Sequence, residues 1–413
     1  MAKDSRPKDT VDRSEGFGER LLGTLIDRAH QMPPQLIAPL VAEEIAVIGG
    51  RDVVVFLQDY DQLTLVPLPG RRLVTEPPVP IDDGSPAGKA FLSDEIVQES
   101  AGEAVRVFVP LLDGTDRVGV LAFTTESWDE HDQRLARRLA GLVADVLVTK
   151  GMYTDRFFQA RRRKPMTLSA EMQWALLPPL IMTNPQVAVA GILEPAYEVA
   201  GDSFDYALND NILHLAIIDA MGHGLDAAMM ASVAIAAYRH ARRSDVDLED
   251  LYAAMDNAIA AHFDEDHFVT VQMARLDVET GVIRWVNAGH PHSLLLRGGR
   301  VVRPLESPTT LPLGFGGDEP EVSEEVLEPG DQVLFYTDGI TEGHVSGGAE
   351  FGDSRFIQVL EQVADESGAV QETVRRLSHA LRHARGEVTN DDATLFLVEW
   401  RAGSADHLAQ LEG

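Results

Sequence analysis

The chain contains no cysteine among its 413 residues. This absence excludes disulfide bonds, metal sites with thiolate ligands and every mechanism that uses a cysteine nucleophile. The sequence also has no apolar run close to the roughly 20 residues that a membrane-spanning helix needs. Its first residues are polar and mixed in charge, unlike a secretory signal. We therefore expect a protein that stays in the cytoplasm and does not cross a membrane.

Basic residues are scarce relative to acidic ones. The chain has 35 lysines and arginines against 66 aspartates and glutamates, a formal net charge of -31. A field of this sign repels nucleic acids and anionic membranes, so we expect the protein to bind neither. The candidate exception is the basic run RRRK at residues 161–164. Such a run is more often a solvated helix face than a nucleic-acid site, and both interpretations stay open.

The length favours two or more domains, and the pattern changes along the chain in agreement with that. Residues 1–40 have apolar positions at helical spacing until Pro33 and Pro34, which predicts two short helices. From residue 51 come β-branched runs typical of strands: DVVVFLQD, QLTLVPL, EAVRVFVPLL and RVGVLAFTT, the last two joined by the turn DGTD. The order of these strands and helices over residues 41–150 resembles a GAF domain, a module for small-ligand sensing or dimerisation. The resemblance identifies no ligand, and an activator protein at this domain is an open alternative.

A long helix, DEHDQRLARRLAGLVADVLVTK, closes this region. Its apolar stripe consists of Leu135, Leu139, Leu142, Val143, Val146 and Leu147. A stripe of this kind is buried against a sheet or a partner, and we expect a homodimer formed through it and the connector that follows. The connector, residues 151–180, contains a predicted helix that ends before Pro178 and Pro179. It is either a spacer or a segment that transmits a signal between domains.

Residues 181–401 contain recurring strand-like runs and two helical stretches, LDAAMMASVAIAAYRHARR and GAVQETVRRLSHALRHA, and residues 402–413 form a tail. Groups of strands with intervening helices indicate an α+β fold with layered antiparallel sheets. Acids lie at the tips of these strands next to glycine or other small residues: Asp202, Asp205, Asp219, Asp338, Asp391 and Asp392. A single acid there is usually a turn or cap residue, but gathered carboxylates repel each other unless a cation lies between them.

Oxygen ligands without thiolates favour Mg²⁺ or Mn²⁺, with His223 and His290 at most secondary. Two such cations would bind a phosphoryl group and lower the pKa of a bound water, which predicts hydrolysis without a covalent enzyme intermediate.

Six ordered motifs then make a specific resemblance: VAGDSFDY, IIDAMGHGLDAAMM, VNAGHPHSLLL, PLGFG, LEPGDQVLFYTDGITEG and NDDATLFLVEW. Together they resemble the bacterial PPM-type (type 2C) serine/threonine phosphatases, and more narrowly the SpoIIE-type branch that regulates sigma factors. AEMQWALLPP resembles the helix that precedes the catalytic domain of that branch. The resemblance implies an α-β-β-α sandwich over residues 181–401.

Carried over to this sequence, the resemblance implies two Mn²⁺ or Mg²⁺ ions held by Asp202, Asp219, Asp338, Asp391 and the backbone carbonyl of Ala220. It gives Asp205, His223 and Asp392 supporting roles that orient waters or loops. The implied reaction is hydrolysis of phosphoserine or phosphothreonine on a STAS-domain anti-sigma factor antagonist. The N-terminal sensor and the connector helix would control assembly of the site.

Two other classes of function stay open. A binding module could use the same fold without catalysis, but a site that does not react has no need of four acids. A hydrolase of small phosphoesters would be expected to show nucleotide-binding features, and the sequence has no phosphate loop of the G-x-x-x-x-G-K type.

Overall fold

The computed structural model describes residues 15–317, 319–341, 352–366, 368–385 and 392–403. Of the side chains in those ranges, residues 15–21, 30, 366, 384 and 385 are not described. The chain folds into two compact units, residues 1–164 and residues 165–413.

The first unit combines one six-stranded sheet with helices. Its helices are α1 (Glu15–Gln31), a 3-10 turn (Pro34–Leu36), α2 (Ile37–Val47), α3 (Pro86–Ser93), α4 (Glu130–Gly151) and α5 (Arg156–Arg161). Its strands are β1 (Arg51–Gln58), β2 (Thr64–Pro67), β3 (Val79–Pro80), β4 (Val97–Ala101), β5 (Ala104–Asp113) and β6 (Asp116–Thr125). They pair antiparallel in the order β3-β2-β1-β6-β5-β4, and β5 and β6 form the hairpin that the turn DGTD predicts.

Alternation along the strands gives this sheet two apolar faces. One face carries Val55, Val109 and Leu121 and packs against α1, α2 and α4, and the opposite face packs against α3. Helix α2 crosses residue 40 and shares a core with α1 and the sheet, so the structure places no domain boundary there. The GAF resemblance of this unit stays a prediction.

The apolar stripe on α4 faces this core. Leu135, Leu139, Val143 and Leu147 are buried, and Leu142 and Val146 pack partly buried against the same core. The stripe therefore covers the sheet of its own chain, and the homodimer predicted through it would have to use other residues.

The basic run, which begins at the last residue of α5, makes contacts within the first unit. Arg161 donates through Nε to the carbonyl of Gln58 over 2.8 Å, and its guanidinium lies 4.5 Å from the ring centre of Tyr60. Arg163 donates to the Thr64 hydroxyl over 2.6 Å. Arg161 and Arg163 thus make contacts within the protein instead of forming a solvated helix face.

The second unit begins with the connector helix α6 (Leu168–Leu176). This helix ends just before Pro178 and Pro179, as the sequence predicts. Its other helices are α7 (Gly224–Arg243), α8 (Leu248–His262), a 3-10 turn (Asp338–Ile340), α9 (Asp353–Glu366) and α10 (Val370–Arg385). Its strands up to the middle of the unit are β7 (Ile181–Thr183), β8 (Val187–Glu194), β9 (Asp202–Asn209), β10 (Ile212–Ala220), β11 (Val269–Asp277) and β12 (Val282–Ala288). The remaining strands are β13 (Leu294–Arg297), β14 (Arg300–Pro304), β15 (Thr309–Thr310), β16 (Ser323–Val326), β17 (Gln332–Tyr336) and β18 (Ala393–Trp400).

These strands form two sheets. One has the order β15-β12-β11-β10-β9 with β16 beside β12, and the other has the order β14-β13-β17-β18-β8-β7. All pairings are antiparallel except the short β12–β15 pair. The two sheets share one apolar core in which Phe204 and Phe396 stack with ring centres 4.8 Å apart.

The outer faces of the two sheets are covered by helices. Helices α7 and α8 pack on the first sheet, and α9 and α10 pack on the second. This arrangement confirms the predicted α+β fold and its α-β-β-α sandwich. The prediction of two helical stretches was incomplete, because α8 and α9 are also present. Within the described part of the chain, no helix is long and apolar enough to cross a bilayer.

Candidate active site

Two of the predicted acids lie side by side in the first sheet. Asp202 is the first residue of β9, and Asp219 is opposite it on β10. Side chains alternate along a strand, so Asp202 shares the face of Phe204, and Asp219 shares the face of Ile217. Phe204 and Ile217 belong to the core between the sheets. Both carboxylates therefore face the second sheet, at one end of the paired strands β9 and β10. Asp202 is within β9 rather than in the loop before it.

The second sheet supplies hydrogen bonds to Asp202. The hydroxyls of Thr337 and Thr394 both donate to Asp202 Oδ2, over 2.6 and 2.8 Å. The Asp202 side chain is buried, and this burial, followed by the negative charges of Asp219 and Asp392, raises its pKa well above the usual range. The two threonine hydrogen bonds oppose that rise. A carboxylate so placed is stabilised by a cation beside it.

Asp392 fastens the start of β18 to the loop before β9. Its Oδ2 accepts from the backbone N–H groups of Ala200 and Gly201 over 2.6 and 2.8 Å. Asp338 directly follows Thr337 and opens the 3-10 turn after β17. The structure thus brings Asp202, Asp219, Asp338 and Asp392 to one end of the sandwich, and Asp392 holds the loop before β9 through its hydrogen bonds.

The carbonyl of Ala220, a predicted ligand, lies against Gly201. A Cβ atom on Gly201 would be 2.5 Å from the Ala220 oxygen, so only glycine permits this approach. Ala220 also donates its N–H to the Gly201 carbonyl over 3.2 Å. Close contact between these two residues fixes the position of the Ala220 peptide beside the acids.

The chain turns sharply after Ala220 to begin α7. Gly222 and Gly224 have φ values of 94° and 74°, which glycine adopts without strain. His223 lies between them as the N-cap residue of α7, with an exposed ring and no capping hydrogen bond from its side chain. The structure places His223 at the rim of the candidate site, where its supporting role stays a prediction.

Asp205 is placed differently from the prediction. It lies three residues after Asp202 on β9, so its side chain is on the opposite face of the sheet, toward α7. There it accepts hydrogen bonds from Arg239 and, over 3.1 Å, from Arg242. The predicted role beside the metal site is wrong for Asp205, which neutralises the buried Arg242 and the half-buried Arg239 of the helical layer.

The NAGHP loop is held by its own side chains. Asn287 accepts from the N–H of His290 over 2.9 Å and donates to its carbonyl over 2.8 Å. The His290 ring is buried and pairs with the Thr270 hydroxyl over 2.9 Å. Burial lowers the pKa of His290 to about 3, so the ring is neutral at physiological pH. Burial and the hydrogen bond to Thr270 give His290 a structural place in this loop.

Gln173 of α6 was not predicted to be a site residue. It is fully buried, and its Nε2 donates to the Ala200 carbonyl over 2.6 Å. Ala200 is bonded to Asp392 and lies two residues before Asp202. The sequence signal that could have identified Gln173 is a polar residue on the buried side of a short helix, one turn after Ala170.

Asp391, a predicted ligand, lies outside the described residues. Among the residues that are described, no three acid or histidine side chains converge closely enough to form a complete cation site. The described donors are nevertheless oxygen atoms, and a cation would relieve the repulsion between the facing carboxylates of Asp202 and Asp219. This donor set fits Mg²⁺ or Mn²⁺.

Most of the second unit is similar to a known protein family. The family described as Stage II sporulation protein E (SpoIIE) matches residues 209–401. Residues 209–401 are therefore similar to the SpoIIE family of PPM-type phosphatase domains. The matched SpoIIE-type segment includes Asp219, Ala220, Asp338 and Asp391, whereas Asp202 lies just before it.

Three individual proteins with similar sequences or structures each share less than 30% sequence identity with this chain. The phosphoserine phosphatase RsbU of Bacillus subtilis is 23% identical over 261 residues, which cover 62% of this chain and 77% of RsbU. Protein IcfG of Synechocystis is 23% identical over 257 residues, 55% of this chain and 40% of IcfG. The structure of the RsbU and RsbW domains of Rv1364c from Mycobacterium tuberculosis is 28% identical, with a TM-score of 0.46, over 53% of this chain and 63% of that one.

Proposed function

We propose that this chain is a metal-dependent protein serine/threonine phosphatase that dephosphorylates a STAS-domain anti-sigma factor antagonist. The observation that carries the proposal is the pair of facing carboxylates, Asp202 and Asp219, where the two sheets meet. The match of residues 209–401 to the SpoIIE family supports the reaction, and the similarity to the phosphoserine phosphatase RsbU supports a phosphoprotein substrate.

Asp202, Asp219, Asp338, Asp391 and the Ala220 carbonyl would hold two Mn²⁺ or Mg²⁺ ions. When bound, these ions would supply charge for the phosphoryl oxygens and activate a water for in-line attack. The protein residues have their own tasks. Thr337 and Thr394 fix the orientation of the Asp202 carboxylate, and the buried surroundings strengthen its interaction with any cation.

The substrate and pathway are the finer part of this proposal. Dephosphorylation of a STAS protein would let it capture an anti-sigma kinase and release a sigma factor in the cytoplasm. Control by the N-terminal unit, as a GAF-like sensor of an unknown ligand or activator protein, would act through α6. The hydrogen bond from Gln173 to Ala200 supports this route, because α6 directly follows the first unit in the chain.

The test is hydrolysis of p-nitrophenyl phosphate and of a phosphoserine STAS protein by the full chain, with Mn²⁺, Mg²⁺ or EDTA. We expect metal-dependent phosphate release that Asp219→Asn abolishes. Asp277→Asn is a matched control, since Asp277 ends β11 and pairs with Ile212 at the opposite end of β10 from Asp219. Binding of the STAS protein without hydrolysis under any metal would contradict the phosphatase and favour a binding module.

A further inference from the structure

Exposed apolar side chains are concentrated beside the candidate active site. Among the described residues of the second unit, eight large apolar side chains are exposed, and five of them lie within residues 221–229 and 311–315. These five are Met221, Leu225, Met229, Leu311 and Phe315, each between 41% and 51% exposed. We call them the apolar platform. Exposed apolar side chains that cluster in this way mark interaction surfaces, whereas scattered ones do not.

The platform is continuous with the acids. Met221 comes two residues after Asp219, and Leu225 and Met229 are one helical turn apart on the same side of α7. The N–H of Met221 donates to the carbonyl of Phe268 over 3.1 Å. The Phe268 ring in turn lies 5.3 Å from the ring of Phe315. The two segments of the platform therefore meet around Phe268.

Helix α8 holds the second segment in place. The Asp256 carboxylate accepts from the N–H groups of Gly314 and Gly316 over 2.8 and 3.2 Å. The Tyr252 hydroxyl donates to the Leu311 carbonyl over 3.0 Å. The PLGFG motif is thus a fixed loop that presents Phe315 to solvent. A surface that is ordered before binding loses little conformational entropy when a partner docks.

Charge near the platform limits what could cover it. Asp226 on α7 is exposed, and Asp264, Glu265 and Asp266 are exposed in the segment that leads to Phe268. These acids repel anionic lipids and nucleic acids. A protein surface with apolar side chains is compatible with both the platform and its surroundings.

We propose that the apolar platform is the docking surface for the phosphoprotein substrate, which presents exposed apolar side chains next to its phosphorylated residue. This inference rests on the proposed function, because the occupant must deliver a phosphoryl group to the acids. Docking on Leu225 and Phe315 places the partner next to the segment that runs from Asp219 into α7. A small phosphoester presents no extended apolar surface that could cover Leu225 and Phe315 together.

The test compares two substrates in the full chain. Phe315→Ser and Leu225→Ser are combined, and Val326→Ser is the matched control, since Val326 is 59% exposed on β16. The substrates are p-nitrophenyl phosphate and a phosphoserine STAS protein, both with Mn²⁺. We expect kcat/KM for the phosphoprotein to fall at least about tenfold in the double variant, as for central interface residues. Hydrolysis of p-nitrophenyl phosphate and the behaviour of the control variant should stay unchanged.

Each other outcome has a definite meaning. Equal activity of the double variant and the wild type on the phosphoprotein overturns the docking surface alone. Equal losses on both substrates overturn it too, because the residues then support the metal site. Loss of self-association with unchanged phosphoprotein hydrolysis assigns the surface to a second copy of this chain. A wild type that hydrolyses p-nitrophenyl phosphate and not the phosphoprotein contradicts this substrate, and one that hydrolyses neither contradicts the proposed function itself.

Discussion

Gln173 and Ala200 are joined by a buried hydrogen bond of 2.6 Å from the side-chain amide to the backbone carbonyl. The N–H of the same Ala200 donates to Asp392 over 2.6 Å, and Asp202 follows two residues later. The carbonyl of Ala200 is therefore held by α6, and its N–H is held by the residue that precedes β18. The position of α6 determines where the backbone before Asp202 lies.

We expect Gln173→Ala to weaken Mn²⁺ or Mg²⁺ binding about 10- to 100-fold, the usual range for outer residues that orient metal ligands. The carbonyl of Ala200 would lose its donor, and the loop that carries Asp202 would no longer be held in one position. The measurement is the concentration of Mn²⁺ that gives half-maximal hydrolysis of p-nitrophenyl phosphate.

Trp174→Phe is the matched control for Gln173→Ala. Trp174 lies on the same helix and donates from its indole to the Ala196 carbonyl over 2.7 Å, four residues earlier than Ala200. Loss of the indole hydrogen bond should weaken the packing of α6, but it should change the Mn²⁺ requirement less than Gln173→Ala does. Equal Mn²⁺ requirements in Gln173→Ala and the wild type would show that the bond does not orient the site.

Gly201→Ala should reduce phosphatase activity at least about tenfold, by the same displacement of metal ligands. The added Cβ would be 2.5 Å from the Ala220 oxygen, so the Ala220 peptide must move. Gly141→Ala on α4 is the control, because a Cβ added there would have no neighbouring atom within 4 Å. The measurement is the steady-state rate of both variants with saturating Mn²⁺. A fully active Gly201→Ala enzyme would show that the Ala220 carbonyl is not part of the site.

Sequence patterns predict some of these features and not others. The motif order predicts the sandwich, and the ends of apolar strands identify Asp202 and Asp219, because such positions are set by local alternation. The separation of Asp205 from Asp202 follows from the period of two once β9 is known to begin at Asp202. Interpreting the motif as a loop after the preceding strand hides that difference.

Contacts between distant segments could not be predicted in this way. Asp256 holds a loop that lies 58 residues later in the chain, and Gln173 bonds to a residue 27 positions away. Neither pairing has a local signature, since each depends on how helices pack on the first sheet. Helix α8 itself did have a signal, because Leu248, Leu251, Tyr252, Met255 and Ile259 recur at helical spacing.

Asp205→Asn should lower the free energy of unfolding by about 3 kcal/mol, because it leaves the buried guanidinium of Arg242 without its counter-charge. Its effect on the Mn²⁺ requirement should be small by comparison, since the side chain faces away from Asp202. Urea unfolding and Mn²⁺ titration of the same variant separate the two effects. A variant of normal stability with a large rise in the Mn²⁺ requirement would restore the role predicted from the sequence.

The stability of the second unit should fall as the pH drops below about 6.5, because its buried histidines take up a proton when they unfold in acid. Burial, followed by the charges of Arg275 and Arg242, lowers the pKa of His214 to about 4. Its contribution is complete above the unfolded value of 6.5 and is lost as the pH falls toward 4, by about 1.4 kcal/mol per pH unit.

His214→Gln should therefore flatten the dependence of unfolding free energy on pH between 6.5 and 5, while His240→Gln, at an exposed position on α7, should leave it unchanged. Urea unfolding followed by tryptophan fluorescence in a Trp128→Phe background reports on this unit alone, since Trp174, Trp285 and Trp400 all lie in it. An equally steep pH dependence in His214→Gln and His240→Gln would mean that the proton uptake occurs elsewhere.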